Sequence, residues 1–159
     1  MSGRPMIRLP RGSSAALLVS LLASGCLSTT VPEARSALQA TAIRSPADVA
    51  AYEEADAADD RLNDWCAAAL AIREAGEPLA ADDPVLGEEA AAAVERIRQS
   101  AAAAESEELR VVLVALADAH QRRLDLLGSP GKHAPKKYLR AERDVVELGF
   151  GLRRWRRQR

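Results

Sequence analysis

The chain has 159 residues, enough for one domain with a modest core and too few for several. Aromatic residues make up only 3%, and much of the 48% hydrophobic content is alanine, which disfavours strands past residue 45 and favours helices. The formal net charge of −1 conceals a split: residues 26–131 carry 9 basic and 20 acidic groups, net −11, whereas residues 132–159 carry 10 basic and 3 acidic groups, net +7.

The first element is apolar and short. Arg4, Arg8 and Arg11 precede an apolar run from Ala15 to Ala23, and no acidic residue occurs before Glu33. A positive start, a brief apolar run and small residues after it describe a secretory signal segment. The run is well short of the roughly 20 residues that a membrane-spanning helix needs. It ends Leu21-Leu22-Ala23-Ser24-Gly25-Cys26. This stretch resembles the lipobox of bacterial lipoproteins, in which small residues precede a cysteine whose sulfur is alkylated by a diacylglycerol before cleavage. The resemblance covers this segment alone. It implies that residues 1–25 are a signal peptide, that Cys26 is the lipidated first residue of the mature chain, and that residues 26–33 form a tether at the surface of a membrane in the bacterial cell envelope. One departure stands out: Ala23 occupies the position, three before the cysteine, where the lipobox usually has Leu. Ala23 and Gly25 also satisfy the small-x-small pattern of ordinary signal cleavage at the same bond. On that pathway Cys26 stays free, and an oxidising compartment could join it to Cys66 in a secreted soluble protein.

Residues 34–159 read as a helical domain. Glu33 to Ile43 suits a short helix. Ser45 can cap a longer one, with Pro46 in its first position and Asp48 completing the start. That helix runs until Gly76, a C-terminal stop. Leu62, Trp65, Cys66, Ala69 and Ile72 share its apolar face, and Cys66 reads as a small buried hydrophobe. Asp83 and Pro84 read as the cap and first position of the next helix, whose stripe is Leu86, Ala90, Ala93, Val94, Ile97 and Ala101. No Gly or Pro lies between Gly87 and Gly128, so propensity alone allows one helix, counted from its start near Pro84, of about 43 residues and roughly 65 Å. The later stripe, Leu109, Leu113, Leu116, His120, Leu124 and Leu127, projects backwards onto Glu105, Ala102, Arg98 and Glu95, out of phase with the earlier one. This predicts a break near residues 103–107, where Glu105, Glu107 and Glu108 suit a helix start. Gly128 to Pro135 is a loop. The last helix, residues 135–158, carries a heptad-like seam of Tyr138, Ala141, Val145, Leu148, Leu152 and Trp155. The fold expected is all-α: a small bundle of three or four antiparallel helices after the signal segment.

The basic end of the last helix is the candidate contact element. Arg153, Arg154, Trp155, Arg156 and Arg157 would meet an anionic lipid, a cell-wall polymer or an acidic protein. A competing role for the same charges is packing against acids of the domain itself, such as Glu53, Asp56, Asp60 and Asp64. Nucleic acid is not expected as a partner, because export removes it. The acidic run from Glu53 to Asp64 lacks the Gly-containing loop of a calcium site and reads as a solvated helix face. His120 has no ligand at i±3 or i±4, so it reads as a core histidine, and His133 as a solvated loop residue. No nucleophile elbow, phosphate loop or dinucleotide motif occurs. No catalytic residue, metal site or cofactor is expected. A carboxylate-based hydrolase remains the weakest of the rival readings.

Overall fold

The computed structural model describes residues 31–38, 45–128 and 134–157. The expected signal segment, Cys26, residues 27–30 of the expected tether, residues 39–44, residues 129–133 with His133, and residues 158–159 lie outside the described residues. Among the described residues there are five α-helices: α1 (Val31–Leu38), α2 (Pro46–Glu74), α3 (Glu88–Ala103), α4 (Glu107–Gly128) and α5 (Ala134–Arg157). No strand occurs among the described residues, so the protein is all-α as the sequence implies. Helices α2 to α5 run up, down, up, down, and α1 packs on α4 and α5. Helix α1 begins at Val31, so the last three residues of the expected tether are helical.

Helix α2 starts and stops where the sequence punctuates it. The Ser45 side chain accepts from the Asp48 backbone N–H at 3.0 Å. At the other end Gly76, at φ +79°, takes the left-handed position that a residue with a Cβ resists. Its N–H donates to the Arg73 carbonyl and the Glu77 N–H to the Ile72 carbonyl, which closes the last turn. The inward stripe of α2 is mostly alanine: Ala51, Ala55, Ala58 and Ala69, with Leu62 and Cys66. Trp65 and Ile72, expected on that face, are half-buried at its edge.

One expected helix start needs correcting. Asp83 does cap, its carboxylate accepting from the Val85 N–H at 3.0 Å, but what it caps is a single 3₁₀ turn, Pro84–Leu86. Helix α3 begins afterwards at Glu88, with Gly87 at its cap position and no side-chain cap. Pro84 fixes the turn, and extended Gly87 resets the chain before α3. Leu86 consequently falls off the α3 stripe and is 43% exposed, whereas Ala90, Ala93, Val94, Ile97 and Ala101 are buried as expected.

The predicted break is present. Helix α3 ends at Ala103, extended Ala104 turns the chain, and α4 starts at Glu107. A residue distant in sequence secures this corner. The buried Asp48 carboxylate of α2 accepts from the backbone N–H groups of Glu105 at 2.8 Å and Ser106 at 3.0 Å. It places a negative charge at the positive end of α4 while satisfying donors that the helix leaves unpaired. At the far end the Arg73 guanidinium donates to the Leu127 carbonyl at 2.8 Å. Helix α2 thus holds both ends of α4, and the two run parallel across the bundle.

Helix α4 is the central element. It is buried on most sides, through Leu109, Val112, Leu113, Leu116, Ala117, Ala119 and others, as expected of a helix covered by several neighbours. Every residue of the predicted α5 seam is buried.

Candidate functional site

The basic run at the end of α5 is divided by helix geometry. At about 100° per residue, positions three apart share a side and adjacent positions do not. Trp155 points inward and is 1% exposed, its ring centroid 6.0 Å from that of Tyr52. It is a core residue, a correction to its place in the expected contact surface. Arg153 and Arg156 turn toward α2. Arg156 donates to Glu53 at 3.1 Å. Arg153 meets three carboxylates, Asp56 at 3.6 Å, Asp59 at 3.5 Å and Asp60 at 3.0 Å. Arg154 and Arg157 face outward and are exposed. The charge split is therefore partly an internal pairing between α5 and the acidic face of α2.

Asp56, Asp59 and Asp60 place carboxylate oxygens within 4.8 Å of one another, close enough to hold a cation. The cation seated there is the Arg153 guanidinium. The acidic run also differs from a solvated face at one position, because Asp59 is buried. Partial desolvation, and then the adjacent Asp56 carboxylate, raise the Asp60 carboxyl, with Arg153 acting in the opposite direction.

Behind Arg153 a buried polar ladder links three helices. Asp59 of α2 lies 2.7 Å from Nε2 of His120 on α4. The Asn63 amide donates to Asp59 at 3.1 Å and accepts from Arg123 at 2.6 Å. Arg123 donates to the Tyr138 hydroxyl of α5 at 3.4 Å and lies 5.8 Å from the centroid of its ring. His120 is a buried core residue, as the sequence suggests, but its partner comes from α2, not from the nearby Asp118 or Asp125. Burial lowers the His120 pKa, and the Asp59 hydrogen bond and charge offset only part of that. The neutral ring therefore donates from Nε2 to the carboxylate. Its Nδ1 has no hydrogen-bond partner among the described residues, which suits an unprotonated nitrogen and penalises a charged ring.

Gly149 of α5 sits beside this ladder, where a Cβ would meet the Asp59 carboxylate at 3.4 Å, an ordinary van der Waals contact. The signal that could have located the ladder is the recurrence of polar residues, Asp59, Asn63, His120 and Arg123, on otherwise apolar faces.

The dyad has the components of a general base, yet the His120 ring is 0% exposed and Asp59 2%. In this arrangement it ties helices together. Cys66 is a free thiol, fully buried, and burial pushes its pKa up, away from a reactive thiolate.

No family model, curated protein or solved structure matches this chain.

No helix of the described residues is long and apolar enough to cross a membrane. The outer side of α5 is the remaining surface of note. Phe150 is 67% exposed, Leu139 59% and Val146 48%, and between and beside them stand Lys136, Arg143, Arg154 and Arg157, all exposed.

Proposed function

We propose that this chain is a lipid-anchored protein of the bacterial cell envelope that works by interaction, held to a membrane through Cys26 and meeting an anionic or acidic partner through its basic C-terminal helix. The observation that carries the reading is the arginine-rich, acid-free start followed by the apolar run and Ala23-Ser24-Gly25-Cys26. Two structural facts support the interaction half. The groups best suited to chemistry, His120 and Asp59, are sealed in the core and bonded to each other. The acidic trio that a carboxylate-based hydrolase would use is engaged by Arg153. Within the basic run, Arg154 and Arg157 remain as the charges turned outward.

The test is the intact mass of the protein made with its own N-terminal segment in a bacterial host, beside a Cys26→Ala variant. A species that starts at Cys26, carries the mass of a diacylglyceryl group and is lost in the variant is the expected result. An unmodified species starting at Cys26 and lighter by two hydrogens would replace the anchor with a Cys26–Cys66 disulfide.

A further inference from the structure

Helix α5 presents two amphipathic faces. The inner one is the seam of the bundle. The outer one carries Leu139, Val146 and Phe150 at spacings of seven and four, which align them along one side. Lys136, Arg143, Arg154 and Arg157 share that side, and no ion pair among the described residues engages any of the four. The three acids of α5 lie on its flanks, half-buried, and Asp144 is drawn to Arg122 of α4 at 3.4 Å. The outer face is thus apolar and predominantly cationic, with Glu147 at its edge beside the cations.

Three large apolar side chains, one of them an aromatic ring, line up with cations on this face, a pattern that suits a covering partner. A second copy of the same face is a poor one, because two-fold pairing would gather the four cations of each copy into one interface. A bilayer bearing anionic headgroups complements both parts of the face at once. The cations meet phosphate, and their long stems lie along the apolar boundary while Phe150, Val146 and Leu139 enter it. A 24-residue helix is about 36 Å long and offers a flat line of contact.

The position of the anchor points the same way. Val31 and Pro32, at the start of α1, line an open groove together with Lys136, Leu139, Arg140 and Arg143 of α5 and, at its rim, Asp144 and Glu147. Cys26 is five residues before Val31, and five residues span at most about 18 Å. A lipid on Cys26 would bring this face to the membrane it enters.

We infer that the outer face of α5, through Leu139, Val146 and Phe150 with Lys136, Arg143, Arg154 and Arg157, lies on an anionic phospholipid surface. The orientation relative to Cys26 rests on the anchored reading above, whereas the affinity of the face for lipid does not. The experiment therefore uses the full chain with Cys26→Ala, which cannot be lipidated, so that failure of this inference and failure of the anchor are read separately. A Val146→Cys substitution in that background takes an environment-sensitive dye, while buried Cys66 stays unlabelled. Phosphatidylcholine vesicles containing phosphatidylglycerol should shift the dye emission to the blue, and phosphatidylcholine alone should not. Arg143→Gln and Arg154→Gln should each weaken the lipid midpoint about fivefold, and salt should weaken it further. Phe150→Asp should abolish the shift. The same dye at Gln99→Cys on α3 reads any contribution of the N-terminal segment and should stay unshifted. No shift at position 146, an equal shift on neutral vesicles, or an equal shift at position 99 overturns the inference. So does a blue shift without lipid that grows with protein concentration, which would give the face to a second copy.

Discussion

The five residues from Arg153 to Arg157 look alike in sequence and should behave differently when substituted one at a time. Trp155 is 1% exposed and packs near Tyr52 with the two rings tilted. An aromatic side chain buries about 150–250 Å², worth about 4–6 kcal/mol at 25 cal/mol per Å², and measured large-to-small core changes of this kind cost about 3–5 kcal/mol. Trp155→Ala should therefore cost about 4 kcal/mol. In a domain of this size that lowers the melting temperature by about 15 °C. Arg153→Gln should cost about 1–2 kcal/mol, since its exposed pairs are each worth less than about 1 kcal/mol but buried Asp59 loses its nearby cation. Arg154→Gln and Arg157→Gln should stay within about 0.5 kcal/mol of the parent. Thermal and urea unfolding followed by circular dichroism at the helix band read all four. A Trp155→Ala change below about 1 kcal/mol, or an Arg154→Gln change as large as that of Trp155, would refute the division of α5 into inner and outer faces. The same numbers show that deleting residues 153–159 is a poor test of partner contact. Against a total stability of about 5–15 kcal/mol, such a deletion removes a core tryptophan and, with Arg153, the cation paired to three carboxylates of α2.

Asp48→Ala should cost about 3 kcal/mol by stripping the acceptor from two backbone donors at the α3–α4 corner, and Asp48→Asn about half of that, because an amide oxygen still accepts. Equal losses for Asp48→Ala and for Ala at exposed Asp64 in urea unfolding would contradict this. Stability should fall as pH drops below the 6.5 of an unperturbed histidine, because the unfolded chain binds a proton there that folded His120 resists. The slope reaches at most about 1.4 kcal/mol per pH unit, and His120→Asn should flatten it; a parent that is as stable at pH 5.5 as at 7.5 would argue against a neutral buried ring. In a Cys26→Ala background, Cys66 should react with a disulfide dye only on unfolding, with kinetics that follow the loss of helix signal; fast labelling of the native protein would mean that the α2 face opens.

Much of this architecture is legible in the sequence because it is local. The Ser45-Pro46 start of α2, the Gly76 stop, the phase change near residue 104 and the α5 seam each follow from periodicity or from backbone freedom at a few positions. What sequence reasoning misses is tertiary. Asp48 reads as a first-turn residue of its own helix, and it is one, but its carboxylate serves α4, 57 residues away. Asp59 reads as one of six acids on a wet face, yet it is the residue that turns inward to His120. Asp83 caps as expected, although the two residues after Pro84 wind too tightly to continue into α3. In each case the local pattern names the donor or acceptor, and only the packing of helices decides which partner it receives.

The division of α5 also constrains how the helix can act. A basic amphipathic helix often reaches its target by leaving the body of the protein. Here Tyr138, Val145, Leu148, Leu152 and Trp155 are all buried, and Arg153 and Arg156 are tied to acids of α2. Detaching α5 would expose that seam and leave the acidic face of α2 without its counter-charges. The inner cations therefore hold the helix in place, and any partner must be met by the outer side of a docked α5. A docked helix keeps Leu139, Val146 and Phe150 in line with the four outward cations, so the proposed contact surface would be formed before a partner arrives. No ordering cost is then added on binding, and single substitutions on the outer face should alter affinity while leaving the melting temperature unchanged.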